Sequence, residues 1–411
     1  MSLTPKVTRE LLDRGFTRRG IAQIALGTAA ALPLFHEFAY AQDAAAPPTR
    51  GARGFSGGGR AGGGGRRPNT DPDAVVIGSN ENPMGPTKEG LESIARVSPL
   101  AWRYGPAGDN NDLQSLVETT EGVKSGYATV FPGSGPALAA LMPAFCSPTR
   151  SWVMGAPGYT QRGEQYGVKV NHVPLRKDYT HDVEAMIKAD PKAGVYYICN
   201  PNNPTGTITP RKDMEYILAN KPKDAILVID EAYVHFSGRE NMSTDLVAKD
   251  KDVVVLRTFS KIYGMAGLRA GIVYAKPEYH TQIAKFDKGG NLSQGTMACA
   301  AASLKANATV IPERVATYEK NRALTYEAMD KLGVKYVPTV ANFFMMNVPG
   351  MTAVQVGAAL QAKKIYVAQA SRWAEWPNHI RVTVGSFDEM TKFNAALAQV
   401  VKEGPGAVAK G

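Results

Sequence analysis

Three apolar runs of strand length dominate the middle of the chain. They occur in YYICNPNNPTG at 196–206, AILVIDEAY at 225–233 and VVVLRTFSKIYGMAGLRAG at 253–271, and each run ends in polar, Gly or Pro residues. Apolar runs without alternation are typical of strands that are buried on both faces. The segments between the runs are long enough for a crossover helix, which favours parallel pairing. The pattern predicts an α/β fold built on a mostly parallel sheet.

A polar side chain of chemical interest follows each of the three runs. These side chains are Asn203, Asp230 and Lys261, at intervals of 27 and 31 residues. In open α/β sheets, ligands bind at the carboxyl ends of parallel strands. We therefore expect the three side chains to meet in one crevice.

The flanking segments also alternate between strands and helices. VFPGSGPALAALMPAF at 130–145 predicts a strand end, a Gly-rich turn and a helix that has Ser134 and Gly135 at its N-terminus. Free backbone N–H groups and the helix dipole at such a terminus favour a bound phosphate. Towards the C-terminus, the pattern predicts strand material at 335–348, a Thr-capped helix at 352–364, and a strand followed by a helix at 379–393.

The net charge of +10 does not indicate a nucleic-acid partner, because much of it lies near the N-terminus. Residues 1–41 carry a charge of +2 and residues 42–68 carry +4, so that only +4 remains for residues 69–411. That last part contains no basic run and no alternation of basic and aromatic residues. Hydrophobic content of 44% and charged content of 20% are ordinary for a soluble globular protein, and 411 residues suffice for two domains.

Residues 1–41 are similar to an export signal. Thr17-Arg18-Arg19 precedes a modest apolar run, and Ala39-Tyr40-Ala41 is a small-residue cleavage pattern. The apolar run is too short and too interrupted for a comfortable transmembrane helix. The paired arginines resemble a twin-arginine signal, which predicts a periplasmic protein that meets the membrane only during export. An amphipathic N-terminal helix is the alternative.

Residues 42–68 are rich in Ala and Pro and then in Gly and Arg. Such a composition cannot bury a core, so it predicts a flexible linker. An RGG-like segment can in principle contact RNA, but a solvated tether is the favoured interpretation. The folded body is expected to begin near Asp71.

The cysteines and histidines indicate neither a disulfide framework nor a metal site. Cys146, Cys199 and Cys299 are odd in number, have no metal-ligand spacing and lie among apolar or small residues. We expect them to be small buried hydrophobic residues. The six histidines form no HxH or HExxH pattern.

The motifs NPNNPTG, DEAY and TFSK, with Arg269 eight residues after Lys261, resemble the fold-type I pyridoxal-phosphate (PLP) enzymes. Within these, the chain is most similar to the histidinol-phosphate branch of the class I/II aminotransferases, over residues 74–403. The resemblance implies an α/β fold with a mostly parallel large-domain sheet between helices and a smaller α+β domain. The implied division is a large PLP-binding domain at 105–300, a linking helix at 301–330, and a small domain at 69–104 and 331–403.

The resemblance implies a PLP-dependent aminotransferase that moves the α-amino group of an amino acid to a keto acid. Lys261 would form a Schiff base with the cofactor and carry a proton as general base and acid, for which its pKa must be lowered. Asp230 would keep the pyridine nitrogen protonated. Tyr233 and Asn203 would donate hydrogen bonds to the ring O3′ oxygen.

The remaining site residues also follow from the resemblance. Tyr159 would stack on the cofactor ring. The equivalent of Tyr104 reaches the cofactor phosphate of the neighbouring subunit, which implies a homodimer. Arg381 would bind the substrate carboxylate through a bidentate pair, and Asn82, in the NENP segment that closes over the site, would contact substrate. The cofactor phosphate would be held by Arg269, Ser260, Thr258, Ser134 and Gly135.

This sequence departs from the histidinol-phosphate branch at the substrate pocket. Where the branch has a Val-Arg pair whose arginine helps to hold the substrate phosphate, this chain has Val367-Ala368. Arg372, in the following loop, is not expected to replace that arginine. Met84 and Arg162 also stand where the family has tyrosines. Histidinol phosphate is therefore disfavoured as a substrate.

Two other functions are compatible with the same motifs. One is an oxygen-using PLP-dependent amino-acid oxidase or hydroxylase, or a lyase, because these enzymes share the scaffold and the lysine. The other is a non-catalytic PLP-binding protein, which the complete set of Lys261, Asp230, Arg269 and Arg381 disfavours. The sequence does not identify the amino acid, the acceptor or the pathway.

Overall fold

The computed structural model describes residues 3–25, 71–104, 108–159, 163–287, 289, 291–369, 372–373 and 375–405, with the backbone alone at 108–112. The cleavage pattern Ala39-Tyr40-Ala41, the linker at 42–68 and Arg162 lie outside these ranges. Within them, no helix is long and apolar enough to cross a membrane. The same ranges contain no group of His, Cys, Asp and Glu side chains that could hold a metal ion.

A central sheet of seven strands contains the three apolar runs. Its strands are β2 (Ala128–Phe131), β3 (Trp152–Ala156), β4 (Val170–Pro174), β5 (Val195–Cys199), β6 (Ile226–Asp230), β7 (Val253–Thr258) and β8 (Gly271–Tyr274). Their order is β2-β8-β7-β6-β5-β3-β4. The strands from β7 to β4 are parallel, whereas β8 runs antiparallel to both β7 and β2. This topology confirms the predicted fold class.

Both faces of the central sheet are covered, which explains why its strands show no alternation. Within β5, Tyr196 and Ile198 belong to one apolar cluster, whereas Val195 and Tyr197 belong to a second cluster on the other face. The α-helices with both bounds in the described residues are α1 (Pro5–Asp13), α2 (Lys88–Val97), α3 (Gly108–Glu121), α4 (Ser134–Phe145), α5 (Val183–Ala189), α6 (Arg211–Asn220), α7 (Thr244–Ala248), α8 (Pro277–Ile283), α9 (Gln294–Lys305), α10 (Asn307–Leu332), α11 (Ala353–Ala362) and α12 (Phe387–Glu403).

A smaller group of elements follows the long helix α10. Strands β9 (Lys335–Val337), β10 (Phe343–Asn347) and β12 (Ile380–Thr383) form an antiparallel sheet in the order β12-β10-β9. Strand β1 (Val75–Val76) pairs in parallel with β11 (Ile365–Tyr366), so the segment after Asp71 joins this smaller part. Capping boxes begin α11 and α12. The division of the chain into a large and a small domain stays a prediction.

The N-terminal segment packs on the central sheet, which the sequence did not predict. Helix α1 is followed by a helical stretch at 18–25. The side chains of Leu11, Phe16, Ile21 and Ile24 are buried in the same cluster as the apolar side of α4. Glu10 forms an ion pair with Lys285, with an N···O distance of 2.8 Å. The packed body therefore includes residues ahead of Asp71.

Candidate active site

The three predicted side chains converge at the carboxyl edge of the central sheet. Asp230 is the last residue of β6 and Thr258 is the last residue of β7. Lys261 lies in the turn that leaves β7, and Asn203 lies in the NPNNPTG loop that leaves β5. Because β5, β6 and β7 are adjacent and parallel, their ends open into one crevice.

Lys261 is half-buried in this crevice and has no carboxylate partner among the described residues. Its Nζ donates hydrogen bonds to the backbone oxygens of Ser79 (3.3 Å) and Asn80 (3.0 Å). Burial first, and then the nearby positive charge of Arg381, lower the pKa of Lys261 to about 7, and Glu81 opposes this shift. Lys261 can therefore be a neutral nucleophile near neutral pH.

Asp230 is held rigidly on the floor of the crevice. One carboxylate oxygen accepts a hydrogen bond from the Tyr197 hydroxyl at 3.0 Å, and the other accepts the backbone N–H of Ala232 at 3.1 Å. Burial raises the pKa of Asp230 to about 6, against the effect of these hydrogen bonds. A cationic ring nitrogen beside the carboxylate would lower that pKa again, because opposite charges favour the ionised form. Tyr197 was not predicted as a site residue, because its sequence context is that of any core tyrosine.

Tyr233 completes a network of amides around the crevice. Its hydroxyl accepts hydrogen bonds from the side-chain amides of Asn80 (3.0 Å) and Asn203 (3.4 Å). The hydroxyl hydrogen thus remains free for an oxygen in the crevice. Asn80 was not predicted as a site residue, although it stands in the NENP segment. Its backbone conformation is left-handed, with φ of 55°.

Arg269 sits over the N-terminus of α4, where the sequence predicts a phosphate site. A Cβ atom added to Gly133, which precedes the helix and has φ of 89°, would approach the Arg269 Cζ to 2.9 Å. Arg269 also donates to the Ser260 hydroxyl at 3.5 Å, and the Thr258 hydroxyl donates to Ser260 at 2.9 Å. No carboxylate in the ranges that the structure describes pairs with Arg269. A guanidinium beside two hydroxyls and free helix N–H groups fits the phosphate of PLP.

Arg381 projects from β12 into the crevice from the smaller part of the molecule. Its terminal nitrogens donate to Asn203 Oδ1 at 2.7 Å and to the Gly78 backbone oxygen at 2.8 Å. Its Nε is buried and has no hydrogen-bond partner. Burial first, and then the positive charge of Arg372, lower the pKa of Arg381 to about 9. An unpaired buried cation of this kind favours an incoming carboxylate.

The other predicted site residues take varied positions. Tyr159 is half-buried after β3, and Tyr104 is fully exposed. The Asn82 amide donates to the backbone oxygens of Lys261 and Ile262, both at 3.0 Å. Asn82 therefore supports the turn that carries the lysine, and its contact with substrate stays a prediction. Met84 is partly buried against the core.

Arg372 approaches the crevice, and that it does not replace the phosphate-binding arginine of the histidinol-phosphate branch stays a prediction. Its guanidinium carbon lies 6.0 Å from the centre of the Tyr159 ring and 5.5 Å from that of Trp373. Stacking on these two aromatic rings positions Arg372. The sequence of its loop has no periodicity from which this position could have been predicted. Cys146, Cys199 and Cys299 are buried, as predicted.

Comparisons with known proteins agree with this geometry. The family model for class I and II aminotransferases matches residues 74–397. The histidinol-phosphate aminotransferase of Moorella thermoacetica is 30% identical over 336 residues, which cover 80% of this chain and 86% of the relative. The histidinol-phosphate aminotransferase of Symbiobacterium thermophilum is 31% identical over a match that covers 81% of this chain and 92% of the relative. The solved structure of histidinol-phosphate aminotransferase from Sinorhizobium meliloti, in complex with PLP, superposes with a TM-score of 0.70 at 24% identity. The match covers 80% of this chain and 91% of the solved chain.

The fold and the site define a PLP-dependent transferase of fold type I. The chain belongs to the class I and II aminotransferases, and it is a PLP-dependent aminotransferase. The predicted family, enzyme class and cofactor are thus confirmed. The residues of the crevice fit PLP. The cationic cradle matches its phosphate, the buried carboxylate of Asp230 its ring nitrogen, and the half-buried Lys261 its aldehyde.

Proposed function

We propose that this aminotransferase acts on the α-amino group of an α-amino acid, with Lys261 as the proton carrier and Arg381 as the carboxylate-binding residue. The observation that carries the proposal is the half-buried Lys261, whose Nζ bonds only backbone oxygens among the described residues and whose pKa is lowered to about 7. PLP, when bound, supplies an electron-accepting ring that stabilises negative charge at the substrate Cα. The chain supplies binding, orientation and proton transfer.

Each residue has a distinct part in this proposal. The neutral Lys261 Nζ would accept the proton from the substrate Cα as a general base and later release it as a general acid. Asp230 keeps the ring nitrogen protonated, and Tyr233 donates its hydroxyl hydrogen to the ring oxygen. Arg381 fixes the substrate carboxylate, and Arg269 holds the phosphate.

A purified-protein assay tests the proposal against an oxygen-using or lyase reaction. A panel of amino acids is supplied with and without 2-oxoglutarate, while keto acid, oxygen and peroxide are followed. We expect keto acid to accumulate catalytically only with the acceptor present. Oxygen consumption coupled to keto-acid formation, or turnover without an acceptor, would count against aminotransfer.

We further propose that histidinol phosphate is a poor substrate, although relatives of the chain carry that activity in their names. The support is Ala368, which is only 6% exposed and whose methyl group packs with Val337, Met345 and Trp373. Ala368 brings no cation to the pocket. The values of kcat/KM for histidinol phosphate and for unphosphorylated polar and aromatic amino acids decide the matter. A tenfold advantage for histidinol phosphate would exclude this proposal.

We propose export to the periplasm in a folded state by the twin-arginine route. The support is the exposure of Arg18 and Arg19, between the buried side chains of Phe16 and Ile21. A folded chain can therefore present the arginine pair to a receptor. Replacing both arginines by lysine should leave active protein in the cytoplasm, whereas the control Arg9→Lys should not. Periplasmic activity that survives the double replacement would refute this route.

We also propose a homodimer in which the segment at 100–104 contacts the partner. The support is its exposed apolar surface, with Leu100 56% and Trp102 73% exposed and Tyr104 fully exposed. Such a cluster is typical of an interface. Trp102→Glu should shift the sedimentation coefficient from dimer to monomer. A monomeric wild-type protein would rule the proposal out.

A further inference from the structure

The turn that carries Lys261 is held by side chains from a distant segment. This turn follows β7 and belongs to no helix or strand. The Asn82 amide donates to the backbone oxygens of Lys261 and Ile262, at 3.0 Å each. A Cβ atom added to Gly264, which has φ of 67°, would meet the backbone oxygen of Gly85 at 2.0 Å. The backbone after the NENP segment therefore packs directly on the lysine turn.

Helix α10 holds the same turn through two further hydrogen bonds. The Arg314 guanidinium donates to the Ile262 backbone oxygen at 2.7 Å. At the start of the helix, the Asn307 side-chain oxygen accepts the Tyr263 hydroxyl at 2.7 Å. The Ile262 oxygen thus accepts from both Asn82 and Arg314, which belong to distant parts of the chain. The lysine turn is fixed between the NENP segment and α10.

Arg314 is a buried cation without an ion pair. It is only 8% exposed, and no ion pair among the residues that the structure describes includes it. Burial lowers the pKa of Arg314, and Glu89, a carboxylate that opposes this shift, is exposed. Burying a charge without a counter-charge destabilises a fold, and an apolar side chain of similar volume is often equally stable or more so. Folding stability alone therefore does not explain an arginine at this position.

The carbonyl that Arg314 binds belongs to the residue next to Lys261. The Lys261 Nζ donates to the backbone oxygens of Ser79 and Asn80, in the segment that also supplies Asn82. Without Arg314, the amine and the backbone of the lysine would both depend on this one segment. Arg314 ties the backbone to a helix of 26 residues instead. Proton transfer is sensitive to such placement, because a displacement of about 1 Å can cost on the order of a hundredfold in rate.

We propose that Arg314 is a positioning residue for Lys261, which it holds in register with the substrate by binding the Ile262 carbonyl. This inference rests on the proposed role of Lys261 and deepens it. Arg314 acts through the backbone and not through its charge, because the largest charge effects on the pKa of Lys261 come from Arg381 and Glu81.

The test replaces Arg314 by Met, which is long and uncharged, and by Lys, which keeps a donor. The Ile262 oxygen retains the Asn82 amide in both variants, so the carbonyl keeps a partner. The matched control is Arg322→Met, because Arg322 lies on the same helix, is half-buried and donates to the Ala341 backbone oxygen at 3.2 Å. For each variant we would measure the rate of PLP capture by apoenzyme against pH, the rate of substrate Cα hydrogen exchange, and unfolding in urea.

We expect Arg314→Met to lower both rates by about ten- to a hundredfold. The pH midpoint of PLP capture should stay that of the wild type, and KM for the amino acid should change less than about threefold. Its stability in urea should equal or exceed that of the wild type. Arg314→Lys should recover part of both rates, and Arg322→Met should keep wild-type rates.

Three results would overturn the inference while Lys261 keeps its role. Wild-type rates in Arg314→Met remove the positioning role. A pH midpoint that moves to higher pH in Arg314→Met assigns the effect to charge instead. Loss of folding in Arg314→Met, or an equal fall of the rates in Arg322→Met, makes Arg314 a structural residue. If Lys261→Ala captures PLP and exchanges the Cα hydrogen like the wild type, the proposed function itself fails.

Discussion

Lys261 should capture PLP with a pH dependence centred near neutrality, far below that of an ordinary lysine. Burial first, and then the charge of Arg381, lower its pKa from 10.5 to about 7. This shift is equivalent to about 5 kcal/mol of differential interaction with the protonated amine. At pH 7, about half of the Lys261 side chains are neutral, compared with roughly one in three thousand for an unperturbed lysine. The protein thus raises the concentration of the nucleophile by about three orders of magnitude.

The measurement is the rate at which apoenzyme binds PLP, followed by stopped-flow absorbance from about pH 5 to pH 9. Because only the neutral amine reacts, the rate should rise with pH and level off above the pKa. Arg372→Gln removes a cation that lowers the pKa, so the midpoint should move to higher pH. Glu81→Gln removes an anion that raises the pKa, so the midpoint should move to lower pH.

Opposite shifts of the two variants are the signature of direct electrostatic action on Lys261. Both shifts should shrink in high salt, most of all for the exposed Glu81. A wild-type midpoint close to the ordinary lysine value would refute the reasoning, and so would midpoints that move in the same direction in both variants.

Three further predictions concern the floor of the site, its phosphate cradle and the core. Asp230→Asn should still bind PLP but slow Cα deprotonation by several kcal/mol of barrier, measured by substrate hydrogen exchange. Gly133→Ala should weaken PLP binding at least tenfold by equilibrium titration, because the added methyl group meets the arginine above it. Arg257→Met should lower the free energy of unfolding by about 3–5 kcal/mol in urea, because it leaves the buried Glu231 carboxylate, now 2.8 Å from the guanidinium, unpaired.

Each of these predictions has a matched comparison. Near-normal turnover of Asp230→Asn would mean that the carboxylate is structural. The control for Gly133→Ala is Gly126→Ala, because Gly126 has a φ of 80° with open space around it and so introduces backbone strain without a steric clash. Equal PLP affinity of the two alanine variants would exclude a clash between the added methyl group and Arg269. For Arg257→Met, the comparison is the exposed ion pair of Lys88 and Glu92, whose N···O distance is 4.0 Å. Breaking that pair should lower the free energy of unfolding by less than about 1 kcal/mol.

The ends of the central strands could be located from the sequence, and with them much of the site. Asp230 and Thr258 terminate apolar runs, so the pattern alone places them at the carboxyl edge of the sheet. The Gly-rich turn before α4 likewise indicated a helix N-terminus. Local pattern suffices in these cases because strand burial fixes where each run ends.

The remaining features depend on contacts between distant parts of the chain. Arg372 reaches the site by stacking on Tyr159 and Trp373, and its irregular loop carries no pattern. In the N-terminal segment, the apolar spacing of Phe16 and Ile21 suits an export signal and a docking helix equally well. Composition and periodicity cannot separate these alternatives, because both require the same apolar residues.

The central claim, that Lys261 carries the cofactor, is tested most directly by borohydride reduction of the PLP-loaded enzyme followed by peptide mass mapping. One pyridoxyl group per chain should be found, on the peptide that contains Thr258, Ser260 and Lys261. Lys261→Ala should lose the label, whereas the half-buried Lys285→Ala should keep it. Recovery of the pyridoxyl group on any other lysine of the wild-type enzyme would contradict the assignment.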